Sequence, residues 1–232
     1  MEDTKKNDFI ELKYTGKTNE KIFDTNVEED MKQLDPKGKV EKTIIVIGQG
    51  MVMPGLDKAL EGKELSKKYE ITLSPKEGFG ERKRELVKTI PLKAFTEQKV
   101  NPFPGMVLTL DNFLVRIIAV SGARVITDFN NPLAGKELHY IFTIERIITD
   151  DKEKAESLFK VFFKFVPEFE INEKLIIRGP KQFEPIVHAY QTKFKELLNK
   201  EAIFEEVKKP SIEDKIHDKN HEGKQDHPHK HP

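Results

Sequence analysis

The sequence predicts an α+β protein: an antiparallel sheet carrying one short helix, with a small β domain inserted and an α/β domain following. Three observations carry this. FIELKYTG, residues 9–16, and HYIFTIERII, residues 139–148, alternate apolar and polar side chains with the period of two that marks half-buried strands. Between them PGLDKALEG, residues 54–62, places Leu56, Ala59 and Leu60 on one helical face for barely two turns, too short to persist without a sheet to lie on. Residues 85–130 have a β texture of their own.

Taken in order, EKIFDT is a short second strand, VEEDMKQLDPKGKVEK a polar connection, and TIIVIG, residues 43–48, a β-branched strand. Pro54 suits the first helical position and Gly62 a C-terminal stop. KYEITL alternates Tyr69, Ile71 and Leu73, and SPKEGFG after it is turn chemistry. In the inserted region, Asp111-Asn112 and Ser121-Gly122 separate MVLTL, FLVRIIAV and ARVIT, which reads as a meander with two tight hairpins. The host domain is then discontinuous: 1–84 and 132–150 flank an insert at 85–131. After Thr149, DKEKAESLFKVFFKFV is amphipathic and helical, EINEKLIIRG strand-like, QFEPIVHAYQTKFKELLNK helical and AIFEEV a strand, giving a C-terminal α/β domain over 151–209. Residues 210–232 are polar and expected to be disordered.

Charged residues make up 34% of the 232-residue chain yet cancel to a formal net charge of +0, so neither nucleic acid nor an anionic membrane is expected as a partner. The chain has no cysteine, which excludes disulfides, thiol nucleophiles and thiolate metal sites and fits a reducing compartment. MEDTKKNDFI lacks an apolar leader core, and no run approaches the ~20 apolar residues that span a bilayer; a soluble cytoplasmic protein is expected.

Familiar catalytic parts are scarce. GQG, residues 48–50, lacks the spacing of a dinucleotide loop and the Lys-Ser/Thr of a P-loop, and Pro54 removes an amide such a site would use. Outside the tail the only histidines are His139 and His188, in different domains. Serine chemistry lacks a nucleophile elbow. What remains is a set of apolar side chains near strand ends and turns, Tyr14, Phe23, Ile45, Val52, Met53, Leu56, Phe79 and Phe142, with Asp24 as a lone acid beside Phe23. Taken one by one, these read as plain core.

Their order in the chain says more. KYTG (13–16), IFDT (22–25), GQGMVMPGLDKALEGKELSKK (48–68), ITLSPKEGFGE (71–81) and NNPLAGKELHYIFTIERI (130–147) resemble the successive signatures of the FKBP-type peptidyl-prolyl cis-trans isomerases. The embedded segment resembles the insert-in-flap domain of the SlyD-like and long archaeal members. The resemblance covers about residues 8–148 and implies an FKBP half-barrel sheet wrapped around one short helix, with a hydrophobic pocket between them. It implies Tyr14, Asp24 and Phe142 as catalytic residues, with Phe23, Ile45, Val52, Met53, Leu56, Phe79 and Leu133 also binding substrate. In this assignment Leu56 is the pocket floor, and Tyr14 OH and the Met53 N–H are hydrogen-bond partners of the substrate. Three positions depart from the family: Leu56 stands where many relatives carry tryptophan, Phe79 where many carry tyrosine, and Asn131 where the SlyD-like branch carries histidine.

The implied reaction, rotation about an X-Pro bond, makes and breaks no covalent bond, so the scarcity of nucleophiles is expected and no cofactor is required. The implied partners are unfolded or nascent polypeptides with X-Pro bonds. In the insert, Phe95, Phe103, Met106, Leu108, Phe113 and Leu114 exceed what ~45 residues with little helix readily bury, which suggests a chaperone surface beside the compact-core alternative. The tail carries His217, His221, His227, His229 and His231, a set able to share Ni²⁺, Zn²⁺ or Cu²⁺. Phe162, Phe163 and Phe165 are read as exposed aromatics for client binding or a homodimer through the C-terminal domain. The alternatives are a non-catalytic peptide-binding chaperone and a metal-handling protein acting through its tail.

Overall fold

The computed structural model describes residues 3–110 and 112–207, and the chain divides between Ile148 and Thr149 into two compact units. The five tail histidines and the disorder expected of residues 210–232 lie outside the described residues. Among the described residues no helix is long and apolar enough to cross a membrane.

The first unit opens with β1 (Phe9–Thr18), β2 (Lys21–Thr25), α1 (Glu28–Leu34), β3 (Thr43–Val46), α2 (Pro54–Ala59) and β4 (Lys68–Leu73). After the insert, β9 (Leu138–Ile147) closes a five-stranded sheet in which β2, β1, β9 and β4 lie in that order and β3 also pairs with β1. Every pairing is antiparallel. β2 and β3 share one edge of β1, β2 along Thr15 to Thr18 and β3 along Phe9 to Leu12, which leaves a gap between them. Asn26 fills it: its Oδ1 accepts from the Tyr14 N–H at 2.7 Å and its Nδ2 donates to the Leu12 carbonyl at 2.7 Å. Backbone groups that the ladder would leave unpaired are thereby satisfied, and Tyr14 is fixed.

The polar connection read over VEEDMKQL contains α1. None of its residues is buried, so it has no apolar stripe to read; its signal is Glu28, Glu29 and Asp30 in the first turn, favourable to the helix dipole. α2 starts on Pro54 and buries Leu56 under the sheet.

The insert holds β5 (Val87–Pro91), α3 (Leu92–Glu97), β6 (Val107–Leu110), β7 (Phe113–Ser121) and β8 (Arg124–Asp128), with strand order β5-β8-β7-β6. The three apolar runs are β6, β7 and β8; β5 adds an edge strand and α3 a short helix whose Phe95 packs with Ile117 and Val125 as the insert's core. Phe95 is therefore structural, and Met106 and Leu108 are half-buried against the same core, whereas Phe103, Phe113 and Leu114 are 60%, 62% and 54% exposed. The insert leaves the body at a narrow root: the Phe129 N–H donates to the Leu86 carbonyl at 2.9 Å. Asn130 grips Lys83 at both its N–H and its carbonyl, at 2.8 and 2.9 Å.

The second unit comprises α4 (Asp151–Phe162), β10 (Glu168–Ile171), β11 (Leu175–Gly179), α5 (Glu184–Leu198) and β12 (Ala202–Glu206). Asp150 caps α4 by accepting from the Glu153 N–H at 2.8 Å. EINEKLIIRG is a hairpin of β10 and β11, and α5 then carries the chain to β12, parallel to β11. Of the three aromatics read as exposed, Phe163 belongs to the buried core with Phe159 and Phe194, Phe162 stacks on Tyr190 at 4.4 Å, and Phe165 alone is open, at 51% exposure. The helical period of α4 carries the first two inward; Phe165 lies beyond its end.

Candidate active site

The local chemistry of three turns positions the site. Gly48 and Gly50 take φ of +79° and +66°, which L side chains rarely adopt, and their N–H groups donate to Oδ1 and Oδ2 of Asp57 at 2.8 and 2.9 Å. The amides that a phosphate would need at GQG are thus occupied by the protein's own carboxylate. The loop delivers Val52 and Met53 directly into α2, and among the described residues the Met53 N–H makes no backbone hydrogen bond. In SPKEGFG, Ser74 and Glu77 form a capping box around a single 3₁₀ turn that aims the chain toward Phe79. In NNPLAGK, Asn131 Oδ1 accepts from the Leu133 N–H at 2.8 Å, and the Gly135 N–H donates to the Gly80 carbonyl at 2.8 Å, tying this loop to the residue after Phe79. Asn131 thus serves as a turn-former here.

Above α2 the sheet presents one continuous face. Tyr14 on β1 lies opposite Phe142 on β9, which lies opposite Tyr69 on β4; one step along, Gly16, Tyr140 and Ile71 form the next row. Leu56 and Phe142 are each 1% exposed and Ile45 3%, so these belong to the core; Tyr14, Phe23, Val52, Met53 and Phe79 are half-buried around them. Phe23 stands edge-on to Phe79 at 6.1 Å and to Tyr140 at 5.8 Å, and Tyr14 lies 6.2 Å from Tyr140. A Cβ on Gly16 would come within 2.7 Å of Phe23 Cζ and 3.0 Å of Tyr140 Cε1, which accounts for the glycine of KYTG.

Asp24 is exposed at the rim, where its Oδ2 accepts from the Tyr14 hydroxyl at 3.0 Å. Burial, with the Asp24 charge second, raises the Tyr14 phenol well above its ordinary range, and the same two causes push Tyr140 up to about 12. Both phenols therefore keep their protons at neutral pH, and Tyr14 spends its own on Asp24.

The structure gathers Tyr14, Phe23, Ile45, Val52, Met53, Leu56, Phe79 and Phe142 into one cluster, with Asp24 bonded to it; Leu133, half-buried in its turn, is not part of that cluster. Two residues absent from the sequence-based site belong to it: Tyr140, and Tyr69, which stacks on Phe142 at 5.5 Å. The alternation of β9 and β4 was the signal for both. At the root of the insert a groove of about 630 Å³ is lined by Arg82, Val107, Leu114, Arg116, Asp128 and Lys136, among others.

Residues 1–97 match the family model for FKBP-type peptidyl-prolyl cis-trans isomerase, and residues 88–133 match that for FKBP26, IF domain. A short-type peptidyl-prolyl cis-trans isomerase of Methanocaldococcus jannaschii is 30% identical over 156 residues, spanning 66% of this chain and 96% of that protein. The SlyD isomerase of Haemophilus influenzae is 38% identical over 103 residues, 42% of this chain and 52% of that protein. The SlyD isomerase of Treponema pallidum is 33% identical over 121 residues, 50% and 68% of the two chains.

Proposed function

Because this chain belongs to the FKBP-type peptidyl-prolyl cis-trans isomerases, among those with a domain in the flap, we propose that X-Pro segments turn in the hollow over Leu56 and Phe142, after capture of the unfolded chain by the insert. The barrier to be lowered is about 18–20 kcal/mol and arises from amide resonance. The planar amide draws on a charge-separated form that water solvates well; apolar walls disfavour that form more than the twisted, less polar transition state. Leu56 forms the floor with Phe142, while Tyr14, Phe23 and Phe79 wall the proline ring and Val52 and Met53 form the rim. The Met53 N–H is left to donate to a substrate carbonyl. Asp24 orients Tyr14 through the 3.0 Å hydrogen bond and sets a fixed negative charge at the rim.

The observation that carries this reading is the Tyr14, Phe23, Phe79 and Phe142 cluster closing over α2 with one acid at its edge. Asp24→Ala is expected to lower kcat/KM for a proline tetrapeptide roughly tenfold, equivalent to about 1.4 kcal/mol on the barrier, with an unchanged circular dichroism spectrum because the side chain is exposed. If the intact protein does not accelerate a proline-limited refolding reaction, the pocket assignment is lost.

For the insert, the support is its outer face. Register places Val107 and Leu114 on the same side of the sheet as Arg116, opposite the Phe95 core; Phe113, paired with Leu110, falls on the other side, and it and Phe103 are open as well. These exposed apolar side chains are suited to extended apolar segments of unfolded protein.

A further inference from the structure

We infer that the hydroxyl of Tyr140 is a substrate-contacting hydrogen-bond donor of the pocket, giving its proton to a carbonyl oxygen of the bound X-Pro segment. This rests on the pocket proposed above and names a polar contact within it. Proline brings no N–H, so the polar groups a prolyl segment carries into an apolar hollow are mainly carbonyl acceptors, and the site needs donors.

The candidates can be sorted by what already holds them. Phe23, Phe79 and Phe142 have no polar atom. Tyr14 donates its proton to Asp24 and so can only accept. The Tyr69 hydroxyl accepts from the Glu64 N–H at 2.9 Å, which holds its oxygen at the Glu64 backbone, with Lys63 and Lys67 over the ring. Tyr140 differs from all of these. It is 3% exposed, yet among the described residues its hydroxyl has no hydrogen-bond partner, and no buried side-chain oxygen among them is left both sealed and unpaired. The Tyr140 oxygen is therefore open at the surface of a ring that is otherwise enclosed.

A buried phenol ordinarily finds a partner for its O–H. Here the neighbours are the edge of Phe23 and the ring of Tyr14, and Gly16 across the strand supplies no side chain. The free donor faces the rings that would wall the proline, two residues from Phe142 on the same face of β9. Its phenol, raised to about 12, remains a donor across the working pH range.

The test is Tyr140→Phe in the full chain, a change that removes one oxygen and keeps the ring. Isomerisation of a proline tetrapeptide is measured beside the thermal midpoint. Expected is a three- to tenfold fall in kcat/KM, the range of about one neutral hydrogen bond, with the midpoint unchanged. Tyr190→Phe, measured in parallel, is expected to leave kcat/KM within about twofold, because Tyr190 belongs to the second unit, where it stacks on Phe162. Wild-type kcat/KM in Tyr140→Phe would overturn the inference while leaving the pocket standing. An intact protein that fails to isomerise the peptide would remove the pocket itself.

Discussion

Asp57→Ala is expected to lower the unfolding free energy of the first unit by about 3 kcal/mol and to raise KM for a proline peptide several-fold. Asp57 is 8% exposed, and its carboxylate accepts from two loop amides, those of Gly48 and Gly50. A hydrogen bond to a charged group contributes roughly 1.5–3 kcal/mol, and water reaching the partly exposed loop offsets some of the loss of two. Both glycines sit at positive φ, so the loop has little other local preference to fall back on once the acceptor is gone. Val52 and Met53 follow immediately, and slackening there displaces the rim of the pocket. Asp57→Asn should fall between the two, since an amide keeps one acceptor oxygen and turns donors toward the other N–H. Urea unfolding followed by far-ultraviolet circular dichroism measures the effect in a chain without tryptophan. An alanine variant that unfolds at the wild-type urea concentration would show that the loop is held by something else.

The same residue shows why only part of the structure could be read in advance. β1, β4 and β9 were legible because each buries one face, and burial of one face writes a period of two into the sequence. α2 was legible from its proline, its glycine and Leu56. α1 buries nothing, β5 is an edge strand ending in Pro91, and α3 is a six-residue helix with Phe95 as its one buried anchor. In such elements the pattern is too short or too exposed to stand out. Asp57 bonding back to a loop seven and nine residues earlier leaves no periodic trace at all.

For the site, motif order identified the residues that meet over α2, but it stopped at motif positions. Tyr140 and Tyr69 lie in the alternation itself, sharing a face with Phe142 and Ile71, but alternation marks only the buried face of a strand and does not separate core from site. Leu133 sits in the same motif order but lies outside the aromatic cluster, in the turn that Asn131 forms. Exposure within the insert could not be read either. Phe95 and Phe103 are the same residue type eight positions apart, and only the packing of α3 on β7 and β8 separates a core residue from one that is 60% exposed.

That separation sets the second large expectation. Removing residues 87–128 and joining Leu86 to Phe129 through two glycines should leave tetrapeptide isomerisation within about threefold, yet reduce catalysis of a proline-limited protein refolding reaction roughly a hundredfold. The root permits the cut: Leu86 and Phe129 are already hydrogen-bonded at 2.9 Å, and the Asn130 grip on Lys83 lies outside the deleted segment. The size follows from effective concentration. A chain captured on the insert presents its prolines to a pocket on the same molecule, and such tethering adds about 10²–10⁴ to apparent affinity without new contacts at the pocket. A tetrapeptide is too short to use both surfaces and should be indifferent. A milder variant separates the surface from the domain: Phe103→Ser, Phe113→Ser and Leu114→Ser together change three side chains that are each more than half exposed, and should cost the insert little stability. If this triple variant loses the protein-refolding advantage and the suppression of aggregation as fully as the deletion does, the exposed apolar side chains of the insert are the capture site. If it refolds protein substrates at the wild-type rate, capture does not run through those side chains, and the insert acts on the pocket through its root instead.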